Sequence, residues 1–227
     1  MRFLRYVAML ILATLPFASH ADVLTYDFSA NISWMGIYDG HDNNDVDSSS
    51  LPGVLVAKGD HLKGRITYAT SGPVSYVSAD GLVKIYDNVI QSYSFTVASS
   101  GFSYTSAYPY NGVVVSADPK NKVLAFTTSA LTPEVSLYSA LSLASPTGSA
   151  LSTPDIPSAL SLAAFGQSEV SYAWVDNASG LTLYFHATTE SLTRISAVPE
   201  PGQWSMFGLG AAMLAGLARR KHVRGIH

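Results

Sequence analysis

The chain has 227 residues, no cysteine and a formal charge of −3. Without cysteine it has no disulfide, thiolate zinc site, iron–sulfur cluster or cysteine nucleophile. The near-neutral average hides a split: residues 22–200 hold all 16 acidic residues but only 7 of the 13 Lys and Arg, a formal charge of −9.

That acidic span lacks the clustered cations that phosphate contacts need, so nucleic acid is not an expected partner. Its charge suits solubility, a hydrated matrix or divalent cations. Its length is enough to bury a self-sufficient core without disulfides.

At the start, Arg2 and Arg5 precede an uncharged apolar run of 12 residues, 6–17, and then Ala18-Ser19-His20-Ala21. A basic start, a short apolar core and small residues before the cut define a secretory signal peptide. As a helix the run would reach only about 18 Å, short of a ~30 Å hydrocarbon core. Residues 1–21 are therefore expected to be removed between Ala21 and Asp22, by the export machinery.

Residues 22–197 read as an all-β ectodomain, an antiparallel β-sandwich with a jelly-roll-like character. Strands are expected near 23–34, 102–106, 112–117, 122–128 and 169–176. Leu62, Gly64, Ile66 and Tyr68 alternate with polar residues, as do Leu181, Leu183, Phe185 and Ala187, and a period of two places alternate side chains on opposite sheet faces. Residues 83–97 read as two strands around Tyr86-Asp87-Asn88. Turn signals such as Asp39-Gly40, Asp80-Gly81, Asn111-Gly112 and Ser179-Gly180 separate the strands. Ile66, Val83, Phe95, Val115, Phe126, Leu183 and Phe185 are the expected core. Residues 129–164, rich in Ser, Ala, Leu and Pro, read as irregular. They contain Ser-Ala-Leu-Ser-Leu twice, at 139–143 and 158–162.

Candidate chemistry is sparse. The acidic stretch 39–47 offers Asp42, Asn43, Asp45 and Asp47 as weak calcium ligands, since calcium takes six to eight oxygens from flexible loops. It lacks the Gly and Glu of an EF-hand. A solvated loop is the alternative, and no other cofactor is expected. His41, His61 and His186 have no nucleophile elbow or zinc motif around them. Glu134, Glu169 and Glu190 could in principle form a glycosidase pair, but their contexts are uninformative. No catalytic or cofactor-binding residue is assigned. Tyr104, Tyr108 and Tyr110 cluster near a turn, where rings with polar tips suit either packing or flat sugar faces.

At the far end, Pro199-Glu200-Pro201 precedes an uncharged stretch, 204–218, and then Arg219-Arg220-Lys221. The prolines keep the motif extended. The 15-residue apolar stretch is short for a stable span and suits a transient one. The basic cluster stays on the cytoplasmic side.

Together these residues resemble the PEP-CTERM sorting signal, a Pro-Glu-Pro motif followed by a single transmembrane helix and a basic end. The resemblance covers about the last 30 residues, 198–227. It implies recognition and processing by an exosortase, transient insertion in the inner membrane of a Gram-negative bacterium, and release to the cell surface or a biofilm matrix. Gly59-Asp60 before Gly64-Arg65-Ile66-Thr67-Tyr68, with the later 160–165 stretch, resembles the β-sandwich ectodomains found upstream of such signals.

The expected function is thus a non-enzymatic surface or extracellular-matrix protein associated with exopolysaccharide. The alternatives are an exported carbohydrate-active enzyme or a persistently membrane-anchored ectodomain.

Overall fold

The computed structural model describes residues 22–51, 53–106, 111–145 and 150–195. The expected signal peptide with Ala21, the sorting residues Pro199, Glu200, Pro201, Arg219, Arg220 and Lys221, and Tyr108 and Tyr110 lie outside them. The chain divides into units 1–194 and 195–227, and the structure below is that of the first.

Strand follows strand: β1 Val23–Tyr38, β2 Asn43–Asp45, β3 Ser48–Leu51, β4 Val54–Ala57, β5 His61–Ala69, β6 Val74–Val77, β7 Val83–Asp87, β8 Ile90–Val97, β9 Ser103–Thr105, β10 Asn111–Asp118, β11 Asn121–Leu131, β12 Val135–Ser145, β13 Gln167–Asp176 and β14 Thr182–Ile195. Among the described residues, a 12-stranded sheet has the order β6-β7-β10-β11-β12-β13-β14-β1-β5-β8-β9, with β2 on β1 as a hairpin. β3 and β4 form a separate ribbon. From β10 to β14 neighbours in sequence are neighbours in space, a meander joined by short turns except between β12 and β13, which residues 146–166 separate.

The class is all-β and antiparallel, as the alternation requires. The two layers come from one sheet curled on itself into a half-barrel, rather than from two separate sheets. Tyr68 on β5 lies 4.7 Å, ring to ring, from Phe126 on β11, and Tyr104 on β9 hydrogen-bonds Thr128 on β11 at 3.0 Å. Such contacts join the two halves of the sheet across the interior.

Inward positions carry the core: Leu24, Tyr26, Phe28, Ala30 and Ile32 on β1, Leu62, Ile66 and Tyr68 on β5, and Leu183, Phe185 and Ala187 on β14 are all buried. Phe95 lies at its centre, against Tyr93, Phe102, Tyr104, Tyr172 and Phe185. Of the expected core residues, Ile66, Phe95, Val115, Phe126, Leu183 and Phe185 are buried, whereas Val83 is only half-buried at the start of β7. Gly64 faces Phe28 across the β1–β5 pair. A Cβ there would overlap the Phe28 ring and come within 2.6 Å of the Ser94 carbonyl oxygen, so the glycine makes room for the ring.

The stretch 129–164 is more regular than its composition suggests. Its first half completes β11 and forms β12, a strand paired on both sides by β11 and β13. Among the described residues, 150–165 is irregular apart from a 3₁₀ turn, Leu162–Ala164. Leu151, Ile156, Leu160 and Phe165 of this segment belong to the core. It is fastened at both sides: Leu160 N–H donates to the Tyr26 hydroxyl at 2.7 Å, the Tyr86 hydroxyl donates to the Pro154 carbonyl at 3.1 Å, and Lys84 pairs with Asp155 at 2.7 Å.

Phe95→Ala should lower unfolding free energy by about 3–5 kcal/mol, because the cavity forms where the surrounding rings cannot collapse. Gly64→Val should cost about 2 kcal/mol or more through overpacking against Phe28. Chemical denaturation of each variant measures both.

Burial pushes the hydroxyls of Tyr68, Tyr93 and Tyr172 well above the usual tyrosine range. The folded state keeps these protons where the unfolded chain would release them. Their contribution is therefore fully present below about pH 10 and is lost as pH rises further, at about 1–2 kcal/mol per pH unit for each buried ring. Ultraviolet titration should show them ionising together in a steep step that coincides with loss of the circular dichroism signal. Independent, shallow ionisation with the fold intact is the contrary outcome.

Candidate functional site

The outward face of the sheet is polar and rich in hydroxyls. Thr25 and Thr67 meet at 3.1 Å, Ser29 and Ser191 at 2.7 Å, and Arg65 donates to Asp27 at 2.7 Å. Asp27, Ser29, Arg65 and Ser191 flank a shallow groove of about 570 Å³ with Lys63, Thr96 and Thr193.

Aromatic rings from three strands gather on this face beside β1. Along β1 the inward positions run on even numbers to Ile32, and the next buried large side chain is Met35, so the alternation slips by one residue. The slip turns Trp34 outward. Its ring lies 5.0 Å from that of Tyr184 and 5.3 Å from that of His186, both on β14. Its indole N–H donates to the Asp45 carboxylate on β2 at 3.1 Å. Gly36 is the floor beneath them. A Cβ there would stand 2.9 Å from Tyr184 Cζ and 3.0 Å from Trp34 Cη2. His186 Nδ1 lies 2.6 Å from Glu169 Oε1 on β13, and Ser33 Oγ donates to the His186 carbonyl at 3.1 Å. Burial, with the nearby Asp45 charge, raises the Tyr184 hydroxyl above its ordinary range.

The register extends this cluster across the sheet. Tyr184 pairs with Ala173 on β13, and Ala173 with Tyr138 on β12. Tyr138 is 47% exposed. It borders a second groove of about 610 Å³, lined also by Asp87, Asn88, Gly112, Thr127 and Leu131. Asn88, at φ 57°, occupies the left-handed turn between β7 and β8. One row therefore carries Trp34, Tyr184, Ala173 and Tyr138 and ends at this groove.

The acidic stretch 39–47 is a hairpin. Tyr38 pairs with Asn43, and Gly36 with Asp45. The Asp39 carboxylate accepts from the N–H groups of His41 and Asp42 at 3.0 and 2.9 Å, which holds it below the usual carboxylate range. Asp42, Asn43, Asp45 and Asp47 are exposed along it, except that Asp45 also holds Trp34. Among the described residues no three His, Cys, Asp or Glu converge as metal ligands.

The other candidates are dispersed. His61 Nδ1 lies 3.4 Å from Glu190, on a different part of the face from His186 and Glu169. Glu134 uses its carbonyl to accept from Asn177 N–H at the β12–β13 end. Tyr104 is fully buried, so of the sequence's tyrosine cluster this ring serves packing. Among the described residues no helix is long and apolar enough to cross a membrane; the 204–218 stretch lies outside them. No protein family, curated protein or solved structure matches this chain.

Gly36→Val should displace the Trp34 and Tyr184 rings while costing about 1 kcal/mol or less, since both rings border solvent and can move. Near-ultraviolet circular dichroism should change and the melting temperature should stay close to that of the parent. An unchanged spectrum would mean that the rings do not rest on Gly36.

Proposed function

We propose that this chain is an exported, non-enzymatic surface or extracellular-matrix protein, associated with exopolysaccharide and sorted by an exosortase. The observation that carries the reading is the order of Pro199-Glu200-Pro201, the uncharged stretch 204–218 and Arg219-Arg220-Lys221. Three properties of the domain support it. Residues 22–200 are acidic. The outward face is rich in hydroxyls, and Trp34, Tyr184 and Tyr138 share one row on it. Asp22 already engages the sheet, its carbonyl accepting from Thr70 N–H at 2.9 Å, so a cut after Ala21 leaves the whole of β1 in place.

In this reading the signal peptide directs export, and 204–218 halts in the inner membrane as a short helix with the basic cluster in the cytoplasm. Glu200 is the only charge between Arg194 and Arg219, so a membrane-embedded enzyme meets one carboxylate close above the bilayer. Gly208, Ala212 and Gly216 recur every four residues and give the helix a small face for close packing against a partner helix. The sandwich-like domain is then passed to the surface or matrix. Any calcium at the hairpin is weakly held, because Asp39 and Asp45 already accept hydrogen bonds within the protein.

In an exosortase-bearing host, mature protein should begin at Asp22 and lack the C-terminal tail by intact mass. Glu200→Ala should block processing and leave full-length tail in the membrane fraction. Neutral residues at Arg219, Arg220 and Lys221 should disturb orientation before processing. If both variants are processed and released like the parent, the sorting reading fails and a plain membrane anchor takes its place.

A further inference from the structure

We propose that the row formed by Trp34, Tyr184 and Tyr138 is a binding platform for an uncharged polysaccharide chain that lies across the strands and ends in the groove beside Tyr138. The proposal deepens the matrix-protein reading and rests on it for the class of ligand, but it concerns a face of the folded domain, not the tail.

Four observations converge on this row. The first is spacing. Strands lie about 4.8 Å apart, so Tyr184 and Tyr138, separated by β13, stand roughly 10 Å apart, the length of about two pyranose rings. The residue between them is Ala173, which pairs with both and adds no bulk to the surface. A chain can therefore stack on one ring, pass over the alanine and stack on the next. Aromatic rings with polar tips suit the apolar faces of sugars, whose hydroxyls point outward from the ring edge.

The second observation is that the first ring pair is held in place. Trp34 is fixed by Asp45 through its indole N–H, and Tyr184 lies over Gly36. A ring held before binding loses little rotamer entropy on contact, which favours affinity for a weakly interacting ligand.

The third is hydrogen bonding beside the row. The Glu169–His186 pair lies one step along the strands from Tyr184, and Asp87, Asn88 and Thr127 line the groove at the far end. Planar carboxylate and amide groups next to a ring supply acceptors and donors to equatorial hydroxyls.

The fourth is charge. Asp45, Glu169 and Asp87 flank the row, whereas Lys63 and Arg65 lie on β5, on the far side of β1, and Arg65 is neutralised by Asp27. A polymer of uronic acids would meet like charge, so the complementary occupant is uncharged.

Affinity electrophoresis of the purified full chain in detergent tests this, with gels containing hydroxyethylcellulose, mixed-linkage β-glucan or galactomannan, and alginate as the anionic probe. At least one neutral polymer should retard the parent, and alginate should not. Trp34→Ala and Tyr138→Ala should each weaken that retardation roughly tenfold, the effect of losing one stacked ring. Trp34→Phe should restore part of it. Tyr76→Ala, on the exposed edge strand β6, should leave it unchanged, and all variants should melt near the parent's temperature.

The proposal is overturned if no neutral polymer retards the parent, if alginate binds more strongly, or if the two alanine variants bind like the parent. It is also overturned if those variants change the oligomeric state on a sizing column, which would make the row an interface between copies. Since the tail plays no part in this assay, loss of glycan binding with normal processing sinks the platform alone. Binding by a chain whose tail is never processed sinks the sorting reading alone.

Discussion

The Tyr104 hydroxyl lies 3.0 Å from Thr128 Oγ1, and the Tyr93 hydroxyl lies 3.2 Å from Ser139 Oγ. Each pair joins strands that are far apart in the order of the sheet and meet only because it curls. A buried hydroxyl left unpaired costs about 1–3 kcal/mol, so the two halves must close in one alignment for these groups to be satisfied. Ser139 Oγ is also 2.8 Å from the Ser171 carbonyl, which ties the same point to β13. Burial of Phe95, Phe126 and Phe185 supplies a large part of the driving force but has no direction. The tyrosines add direction, because each has a ring long enough to reach the opposite layer and a tip that accepts only certain partners there.

Closing the halves in that alignment leaves an opening that the sheet itself does not fill. Residues 150–165 fill it, by inserting Leu151, Ile156, Leu160 and Phe165 and anchoring on Tyr26 and Tyr86. The same pentapeptide, Ser-Ala-Leu-Ser-Leu, is a paired strand at 139–143 and part of this irregular cover at 158–162. Local preference cannot explain both. The second copy follows Pro154 and Pro157, which have no N–H to donate to a ladder, whereas the first has an unpaired strand waiting on either side. Tertiary context decides between the two states.

That contrast also marks how far the sequence is legible. Period-two alternation is enough to place β1, β5, β8, β10, β11, β13 and β14 and to choose their inward residues, because one face of each is continuous and apolar. β12 escapes, since Ser139 and Ser145 stand at inward positions and its Ser, Ala and Leu composition has little β preference. Their hydroxyls are acceptable inside only because the structure provides partners, and the sequence cannot show a partner that is remote along the chain. The short strands β2, β3, β4 and β6 are edges or ribbons whose pairing depends on neighbours. The aromatic row is hidden for a similar reason. Trp34, Tyr138 and Tyr184 come from three distant stretches, and only the register across β12, β13, β14 and β1 brings them into line. Of the tyrosines that do cluster in sequence, Tyr104 turns into the core.

The slip of alternation in β1 connects the interior to the outer face. Had the even-numbered pattern continued past Ile32, Trp34 would point into the core and Met35 would be outside. A slip of one residue exchanges the two faces of a strand, so the slip after Ile32 exports the indole and brings in Met35 to fill the vacated layer. Large rings on a folded surface are costly to leave in water, and here the surroundings cover them in part: Asp45 satisfies the indole N–H, and Gly36 lets Tyr184 lie close to the backbone. A protein that needed only a stable sandwich would gain by keeping the alternation, with an apolar residue inward at 34 and a polar residue outward at 35. The chain instead departs from the pattern where β1, β2 and β14 jointly support a tryptophan, and the proposed binding platform rests on that departure.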